Sequence, residues 1–495
     1  MARVDDPSDL PIKLERCSNG EFEPPPIRPV VAETQRRTRH QADRLARRLG
    51  MSRRRFLTSL CASALTLTTL DACAGDDRRS RAGHDDPDRT GPGGRYRLPP
   101  ESTTEPAAAA PRLTGDEFVM DVQGHFLEFD LTRPEGAARG FWQSFPQAAC
   151  GDKDPRSCFS IEHFLEEVFL KSDTSLMVLS AIPILGEENP LSIDQMERTR
   201  RIMRSLCDGD DRVLLHGQAL PNLGRPPAAL DAMTALAADH PITAWKVYTH
   251  QPADRGWFLD DHDPAAPQVG EAFLRRAADL RIPIVCVHKG LSGGDRFADP
   301  IDIGPAAAAH RDLRFVVYHS GYEISHREGA FEPGPAAKGV DRLVASLRRS
   351  KIKAGGNVYA ELGSTWRAVM GDPDQAAHLL GKLVNQVGED NVLWGTDSIW
   401  YGSPQDQIQA FRAFEITPEF QERFGYPALT PELKRKILGL NAARLYGVDP
   451  PKVRCPFTRQ ELQAAREVAP ASFPVYGPTT AAAVRELVAA HGGWV

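Results

Sequence analysis

The sequence lacks the features that mark several classes of protein. It has no run of about 18 or more apolar residues, so no stable membrane span is predicted. Its 8 cysteines are sparse for 495 residues and include no Cys-x-x-Cys pair, which excludes a disulfide scaffold, a zinc ribbon and a thioredoxin motif. The formal net charge of -6 gives no basic surface for nucleic acid. The length instead predicts a large enzyme domain with additional segments.

Three segments precede any regular pattern of strands and helices. Residues 1–50 are polar, Arg-rich and broken by prolines, which predicts disorder or a gene-model artefact with Met51 as the true start. Residues 51–75 open with Met51-Ser-Arg-Arg-Arg-Phe-Leu57 and end in small residues around Cys73, which resembles a twin-arginine export signal. Leu70-Asp-Ala-Cys73 is also a loose lipobox, so Cys73 is a candidate lipid anchor. Residues 76–111 are predicted to form a linker.

The export-like signal leaves two localisations open. An exported chain would be periplasmic or otherwise extracytoplasmic, and a lipid on Cys73 would make it a membrane-anchored lipoprotein. If the arginine cluster is a chance feature, the chain stays in the cytoplasm. Cys150 and Cys158 lie close together after the first predicted strand. They are expected to form a disulfide in an exported protein and to stay free thiols in a cytosolic one.

Residues 112–449 alternate short β-rich apolar runs with helical segments. Eight strands are predicted, at 118–122, 176–181, 213–215, 243–248, 283–287, 315–318, 358–362 and 392–394. Eight β–α units in a row predict an α/β fold, a closed (β/α)8 TIM barrel with an outer ring of helices. An open doubly wound sheet is the alternative, but Gln123-Gly-His125 is not the Gly-rich turn that such a sheet would show. Residues 450–495 predict a short helical extension.

Polar side chains stand at the predicted carboxyl ends of these strands, where such barrels carry their sites. Three apolar runs end in His125, His288 and His319, and the last strand is followed by Asp397. A buried carboxylate there is costly unless it is paired or binds a metal. Imidazole and carboxylate ligands suit one Zn²⁺, with Mn or Fe as alternatives. The pattern therefore predicts a divalent metal site.

These motifs together resemble the amidohydrolase-related family, which also contains aminocarboxymuconate-semialdehyde-type decarboxylases. The motifs are Asp121-x-x-x-His125, Ile282-Pro-Ile-x-x-x-His288, Val316-Val-x-His-Ser-Gly321, Gly395-Thr-Asp397 and Asn441-Ala-Ala-Arg-Leu-Tyr-Gly447. The resemblance covers roughly residues 116–448 and implies a metal-dependent barrel. It implies His125, His288 and Asp397 as metal ligands, with His319 close to the water or the substrate.

The first strand departs from the family pattern. The family usually has His-x-His there, whereas this chain has Gln123-Gly-His125. Gln123 can offer a weaker, neutral oxygen ligand to the metal, or it can hydrogen-bond to a substrate. With one imidazole missing, two metals are not expected, and Lys246 is interpreted as a charge that orients a substrate carboxylate.

Further candidates are expected around the same end of the barrel. Asp397 and His319 are the predicted catalytic residues, which would handle the proton. The predicted substrate-binding residues are Lys246, His250, His216, Glu361 and Trp400. Aromatic residues in predicted loops are interpreted as a clamp for a planar substrate, namely Trp142, Trp257, Trp366, Trp400 and Tyr401.

The leading hypothesis is a metal-dependent hydrolase in which metal-activated water attacks an amide, ester or lactone. The alternative enzyme is a non-oxidative decarboxylase of a carboxylated aromatic or enoic acid, with Lys246 or Arg367 binding the carboxylate. A third hypothesis is a non-catalytic exported binding protein on a decayed barrel, which the change at Gln123 favours. A small-molecule partner is expected in each case, and a homodimer is one candidate assembly.

Overall fold

Eight parallel strands form a sheet in which each strand pairs with the next one along the chain. The computed structural model describes residues 10–81, 92–132, 145, 150, 154–184, 189–223, 226–334, 337–453, 455, 461, 473 and 475–491. The strands are β1 (Met120–Gly124), β2 (Leu176–Leu179), β3 (Val213–Gln218), β4 (Ile242–Tyr248), β5 (Ile284–His288), β6 (Arg314–Tyr318), β7 (Val358–Glu361) and β8 (Val392–Leu393). This chain-order pairing confirms the predicted TIM barrel and rules out the open doubly wound sheet.

Contacts between the end of β8 and β1 nearly close the sheet. The Val122 amide donates to the Trp394 carbonyl at 3.1 Å, and Gly124 forms a parallel bridge with Ser398. The His125 amide also donates to the Ser398 carbonyl at 2.7 Å. These bonds bring the segment that carries Asp397 beside the end of β1.

Helices cover the outside of the barrel, as the alternation of strand and helix predicted. They are Ile161–Phe164, Ile193–Leu206, Pro226–Asp239, Gly270–Asp279, Ile303–Ala309, Val340–Arg349, Thr365–Val369, Pro373–Gln386, Gln405–Ala413, Pro418–Phe424, Pro431–Arg435 and Asn441–Tyr446. Ser192 caps one helix with a reciprocal bond to Gln195, and Asp372 caps the helix that starts at Pro373. Both caps satisfy amides that a helix start leaves unpaired.

The strands are apolar on both faces because both faces are buried. One set of residues packs inside the barrel, among them Val122, Cys286, Val316 and Tyr318. The other set packs between the strands and the helices. On β5 the inward positions alternate from Ile284 through Cys286, so the same period carries His288 to the inner face at the strand's end.

The described part of residues 1–50 is folded, which corrects the prediction of disorder. The helix α1 (Pro29–Arg48) of this part packs with the two that follow it, α2 (Arg53–Leu57) and α3 (Leu60–Arg81), and α3 also packs on the barrel helix Gln405–Ala413. The irregular segment before α1 buries apolar side chains, which are Leu10, Ile12, Leu14, Cys17 and Phe22. Prolines and arginines dominate the average composition and hide these scattered apolar residues. None of the described helices is long and apolar enough to cross a bilayer.

The predicted linker at 76–111 is also structured where it is described. Gly94–Tyr96 pairs antiparallel with Phe414–Ile416 in a second, two-stranded sheet, and Pro106–Leu113 is a helix. Tyr96 is buried: its hydroxyl donates to the Met370 carbonyl at 2.5 Å, and its amide donates to Asp71 at 2.7 Å. The described residues 92–111 therefore form regular structure that packs on the rest of the protein, which differs from the predicted linker.

The described cysteines form two disulfides. The expected Cys150–Cys158 bridge is present, with 5.4 Å between the Cα atoms. A second bridge, Cys207–Cys455, joins the end of the helix Ile193–Leu206 to the C-terminal extension and was not predicted. The described part of the extension contains the helix Ala481–His491, in line with the predicted helical extension.

Candidate active site

The histidine and carboxylate side chains predicted at the strand ends meet in one buried cluster at the carboxyl end of the barrel. Asp397 Oδ1 lies 3.3 Å from His125 Nε2 and 3.0 Å from Gln123 Nε2. The rings of His288 and His319 lie 4.6 Å apart, and His319 Nε2 is 3.5 Å from Gln123 Nε2. The structure thus assembles five of the predicted site residues.

Two of the imidazoles are held in a defined tautomer. His125 Nδ1 lies 2.6 Å from the Ser180 carbonyl, and His319 Nδ1 lies 2.7 Å from the Gly363 carbonyl. A carbonyl only accepts hydrogen bonds, so each Nδ1 carries a hydrogen, and in the neutral ring each Nε2 therefore holds the lone pair. A backbone acceptor on the far nitrogen is the usual support of a metal-ligating histidine.

The Asp397 carboxylate has further donors around it. Ser364 Oγ is 2.5 Å and Asn19 Nδ2 is 2.8 Å from Oδ2, and Trp400 Nε1 is 3.4 Å from Oδ1. Burial raises the pKa of Asp397, but the interactions with the protonated forms of His125 and His319 and the hydrogen bond from Ser364 more than offset it, so the net pKa is below the ordinary value. Asp397 is therefore an ionised acceptor at neutral pH.

Strained backbone is concentrated at this end of the barrel. Non-glycine residues with left-handed φ include His319 (61°), Ser364 (54°) and Asp397 (56°). Strict alternation along β6 would turn His319 away from the interior face that Tyr318 occupies, but the positive φ breaks that alternation. Such conformations cost about 1–3 kcal/mol each and are characteristic of functional sites.

Glu361 and Trp400, both predicted to bind substrate, support the cluster. The Glu361 carboxylate accepts the His319 amide at 3.0 Å and the Gly363 amide at 2.5 Å, and burial raises its pKa to about 8. The Trp400 indole stacks on His125 with ring centres 6.1 Å apart. Glu361 therefore fixes the backbone that carries His319, and Trp400 covers His125.

Lys246 and His216 lie deeper in the barrel than the cluster. Both His216 nitrogens are engaged, Nδ1 with Ser180 Oγ at 2.6 Å and Nε2 with the Tyr446 hydroxyl at 2.9 Å. Lys246 Nζ lies 3.4 Å from the centre of the Tyr318 ring, and burial lowers its pKa to about 8. His216 is thus tied into the core, whereas Lys246 is a buried cation without a hydrogen-bond acceptor among the described residues.

The sequence profile of the amidohydrolase family matches residues 172–448, which is more than half of the chain. The chain belongs to the amidohydrolase family. The match begins after β1, so Gln123, His125 and the N-terminal helices of this family member lie outside it. No curated protein matches the sequence.

Several solved structures resemble this member of the amidohydrolase family. They include an uncharacterised TIM-barrel protein from Bordetella bronchiseptica, at 16% identity over 66% of this chain and 98% of that chain, with a TM-score of 0.43. A 2,6-dihydroxybenzoate decarboxylase from Rhizobium is 15% identical over 67% of this chain and 99% of that chain, with a TM-score of 0.36. The apo form of Metarhizium anisopliae IDCase is 15% identical over 67% and 97%, with a TM-score of 0.35.

The donor atoms of this family member fit a divalent metal ion. Two groups offer nitrogen or carboxylate atoms within 4.8 Å of one another, Glu21 with His250 and His288, and Glu21 with His319 and Asp397. Burial lowers the pKa of His250 to about 3 and that of His319 to about 4, so both rings are neutral and free to ligate at neutral pH. Of the three predicted ligands, His288 is in the first group and Asp397 in the second, whereas His125 is in neither and lies 3.3 Å from Asp397.

Sequence reasoning missed Glu21 and Asn19. Both come from the segment before α1, which was predicted to be disordered. Glu21 Oε1 lies 3.4 Å from His288 Nε2, and Asn19 Nδ2 donates to both Glu21 and Asp397. The only signal in the sequence is a polar Asn-Gly-Glu turn between the apolar residues Cys17 and Phe22. The predicted loop aromatic Trp142 lies outside the described residues.

Proposed function

We propose that the chain is a metal-dependent hydrolase that cleaves an amide, ester or lactone bond of a small molecule. One observation carries the proposal: two imidazoles with oriented Nε2 lone pairs converge with the ionised Asp397 in a buried cluster. This donor set suits one Zn²⁺, or Mn or Fe. When bound, such an ion supplies a positive charge that lowers the pKa of water and stabilises negative charge on a substrate oxygen.

The chain's own residues then handle the proton and the substrate. Asp397 accepts the proton of the attacking water, and the Ser364 hydroxyl and the Gln123 amide keep its carboxylate oriented. Glu361 holds the strained turn at His319. The His319 imidazole in turn lies near the Asp397 carboxylate. These residues place the acceptor before the reaction begins, so little reorganisation is needed.

A cavity leads to the cluster from outside. It has a volume of about 460 Å³, and Glu21, Phe22, His250, Gln251 and Ser292 are among the residues that line it. This volume is in the range of small-molecule sites. Glu21 and His250 belong both to the cavity wall and to the candidate metal ligands, so a substrate in the cavity would reach the cluster.

A second candidate is the decarboxylation of a carboxylated aromatic or enoic acid, and Arg367 favours it. Its Nε and Nη2 are buried and have no hydrogen-bond partner among the described residues. Its guanidinium lies 5.8 Å from the centre of the Tyr401 ring, whose hydroxyl is 2.5 Å from Ser364 Oγ. A paired guanidinium edge matches the geometry of a carboxylate.

A substrate screen separates the two reactions. The full chain, loaded with Zn²⁺ or Mn²⁺, is offered aryl esters, lactones and acyl amides, and in parallel hydroxybenzoates with carbon dioxide release as the readout. We expect hydrolysis that is lost in Asp397→Asn and kept in His310→Gln, whose imidazole pairs with Glu271 at 2.8 Å on the outer helices. Carbon dioxide release without hydrolysis would replace the first candidate by the second. If the chain shows neither hydrolysis nor carbon dioxide release, both candidate reactions are contradicted.

We also propose export by a twin-arginine-type route. The two disulfides among the described cysteines support it, because such bonds persist in oxidising compartments. Arg53, Arg54 and Arg55 are exposed at the start of α2. Cys73 is buried in α3, so a lipid on its sulfur would require that α1 be removed or displaced. Recovery of the chain from the host's extracytoplasmic fraction, with its molecular mass measured there, tests this proposal.

A further inference from the structure

We propose that Glu21 is a ligand of the metal site, delivered by residues 10–23, a segment from outside the barrel that we call the strap. The inference deepens the proposed metal-dependent function and rests on it. Glu21 is the residue that the two candidate ligand groups share, one with His250 and His288 and the other with His319 and Asp397. The strap therefore completes the cluster rather than only covering it.

The strap is anchored at several points around the barrel mouth. Lys13 donates from Nζ to the Tyr401 carbonyl at 2.8 Å and from its amide to Asp406 Oδ2 at 3.1 Å. The Ser18 amide donates to the Pro478 carbonyl at 2.9 Å, and the Ser18 hydroxyl donates to the Phe22 carbonyl at 2.6 Å. With Ile12, Leu14 and Cys17 buried, the segment has a fixed position.

Asn19 sets the position of the Glu21 carboxylate. Its Nδ2 lies 2.7 Å from Glu21 Oε2 and 2.8 Å from Asp397 Oδ2, while its Oδ1 accepts the Glu21 amide at 3.1 Å. One amide thus ties the strap carboxylate to the barrel carboxylate. Glu21 Oε1 remains on the side of His288, at 3.4 Å from its Nε2.

The charges of this arrangement call for a cation. Glu21 and Asp397 offer oxygen atoms within 4.8 Å of each other, so ionising both carboxyl groups without a cation between them is costly where water is scarce. A divalent ion between them turns the repulsion into attraction. His250, which is 7% exposed, adds a second sign of a ligand, because its Nδ1 has no hydrogen-bond partner among the described residues.

Gln123 explains why a carboxylate from elsewhere is useful. Its Nε2 donates to Asp397 at 3.0 Å, so the amide acts there as a hydrogen-bond donor and not as an anionic ligand. The Gln123 oxygen has no hydrogen-bond partner in the described part of the chain. Glu21 brings to the cluster the carboxylate ligand that Gln123 cannot supply.

The test is the metal affinity of the full chain. Metal-free protein is titrated with Zn²⁺ against a chromophoric chelator, and the visible spectrum of the Co²⁺ form is recorded. Glu21→Gln removes the charge and keeps the shape. Glu23→Gln is the matched control, since Glu23 pairs with Arg485 at 2.8 Å on the surface. Circular dichroism shows that each variant is folded.

We expect Glu21→Gln to weaken Zn²⁺ binding by at least about tenfold and to change the Co²⁺ spectrum, and Glu23→Gln to do neither. If Glu21→Gln binds like the wild type while Asp397→Asn loses the metal, Glu21 is not a ligand but the proposed function stands. If the wild type itself binds no metal, both proposals fall.

Processing of the export-like segment gives an independent test. A cut after Ala74 would remove Glu21 with the strap, so the inference requires that the functional chain keep residues 10–23. N-terminal sequencing of the exported protein is expected to show a start before the strap. A chain that begins near Gly75 and binds Zn²⁺ as tightly as the full chain would overturn the inference.

Discussion

Asp397 gathers more polar contacts than any single feature of its sequence suggests. Donors from β1, from the turn after β7 and from the strap surround one carboxylate. The sequence predicts that the residue is functional because it follows a buried strand. It does not predict these partners, since each contact joins segments that are far apart along the chain. Their contributions to the site are measurable one at a time.

Ser364→Ala removes a hydroxyl that lies 2.5 Å from Asp397 Oδ2. We expect metal affinity or kcat/KM to fall by roughly tenfold, because partners that orient a ligand usually contribute that much. Ser346→Ala is the matched control: Ser346 is also buried, but its hydroxyl donates to the Ile301 carbonyl at 2.7 Å, on an outer helix. A Ser364 variant as active as the Ser346 variant would show that the Ser364 hydroxyl does not position Asp397.

The burial of Lys246 leads us to expect that the stability of the fold depends on pH. Burial lowers its pKa from 10.5 to about 8 in the folded chain, so between these values the unfolded chain binds the extra proton and stability rises with pH. The cost of the buried ammonium is complete below pH 8. Lys246→Met should therefore raise Tm most near pH 7, and the gain should shrink towards pH 10.5.

Thermal unfolding of both forms across this pH range checks the Lys246 prediction. A loss of Tm at pH 7 would contradict it, and would mean that the ammonium has an anionic partner.

Strand ends were predictable from sequence, whereas the strap was not. His125, His288 and His319 each close an apolar run, and the period of a strand fixes where such a run ends. The strap has no comparable period, and its contact with Asp397 spans most of the barrel sequence. Composition averages over residues 1–50 and so predicts disorder, although a few apolar residues decide how the segment packs.

The helix α3 carries the apolar part of the export-like signal, and in the structure it is part of the core. Leu67 is fully buried there with Ala64 and Leu70. The same apolar residues are compatible with an export signal and with a helix packed in the core, so sequence alone does not distinguish these two interpretations. Stability measurements on the full chain do.

Leu67→Ala is expected to lower the free energy of unfolding by about 2–5 kcal/mol, the usual cost of a buried leucine. Leu206→Ala on an outer helix, where the leucine is 49% exposed, should change it little. Chemical denaturation of both variants makes the comparison. Equal stability would show that α3 is not docked in the protein as purified.

At the scale of the molecule, the order of strands and helices was enough to predict the barrel. Each unit buries its strand against the next, and eight units in sequence order leave few other arrangements. The disulfide between Cys207 and Cys455 could not be predicted from the sequence, because spacing indicates only pairs of cysteines that are close along the chain, such as Cys150 and Cys158. It links the extension back to the barrel.

Thiol counting tests both disulfides together. Alkylation of the unfolded, unreduced chain should modify 4 cysteines, which are Cys17, Cys61, Cys73 and Cys286. After reduction, all 8 should react. Mass spectrometry reads both numbers. Eight reactive thiols without reduction, in protein taken from the extracytoplasmic fraction, would rule out the bridges.

The most direct measurement is the metal content of the full chain, by elemental analysis beside Asp397→Asn and His288→Ala. We predict about one Zn, Mn or Fe per wild-type chain, and a loss of most of it in both variants. His310→Gln should keep the wild-type content. A wild-type chain that stays metal-free after loading with each ion would contradict the account and favour a binding protein on the same barrel.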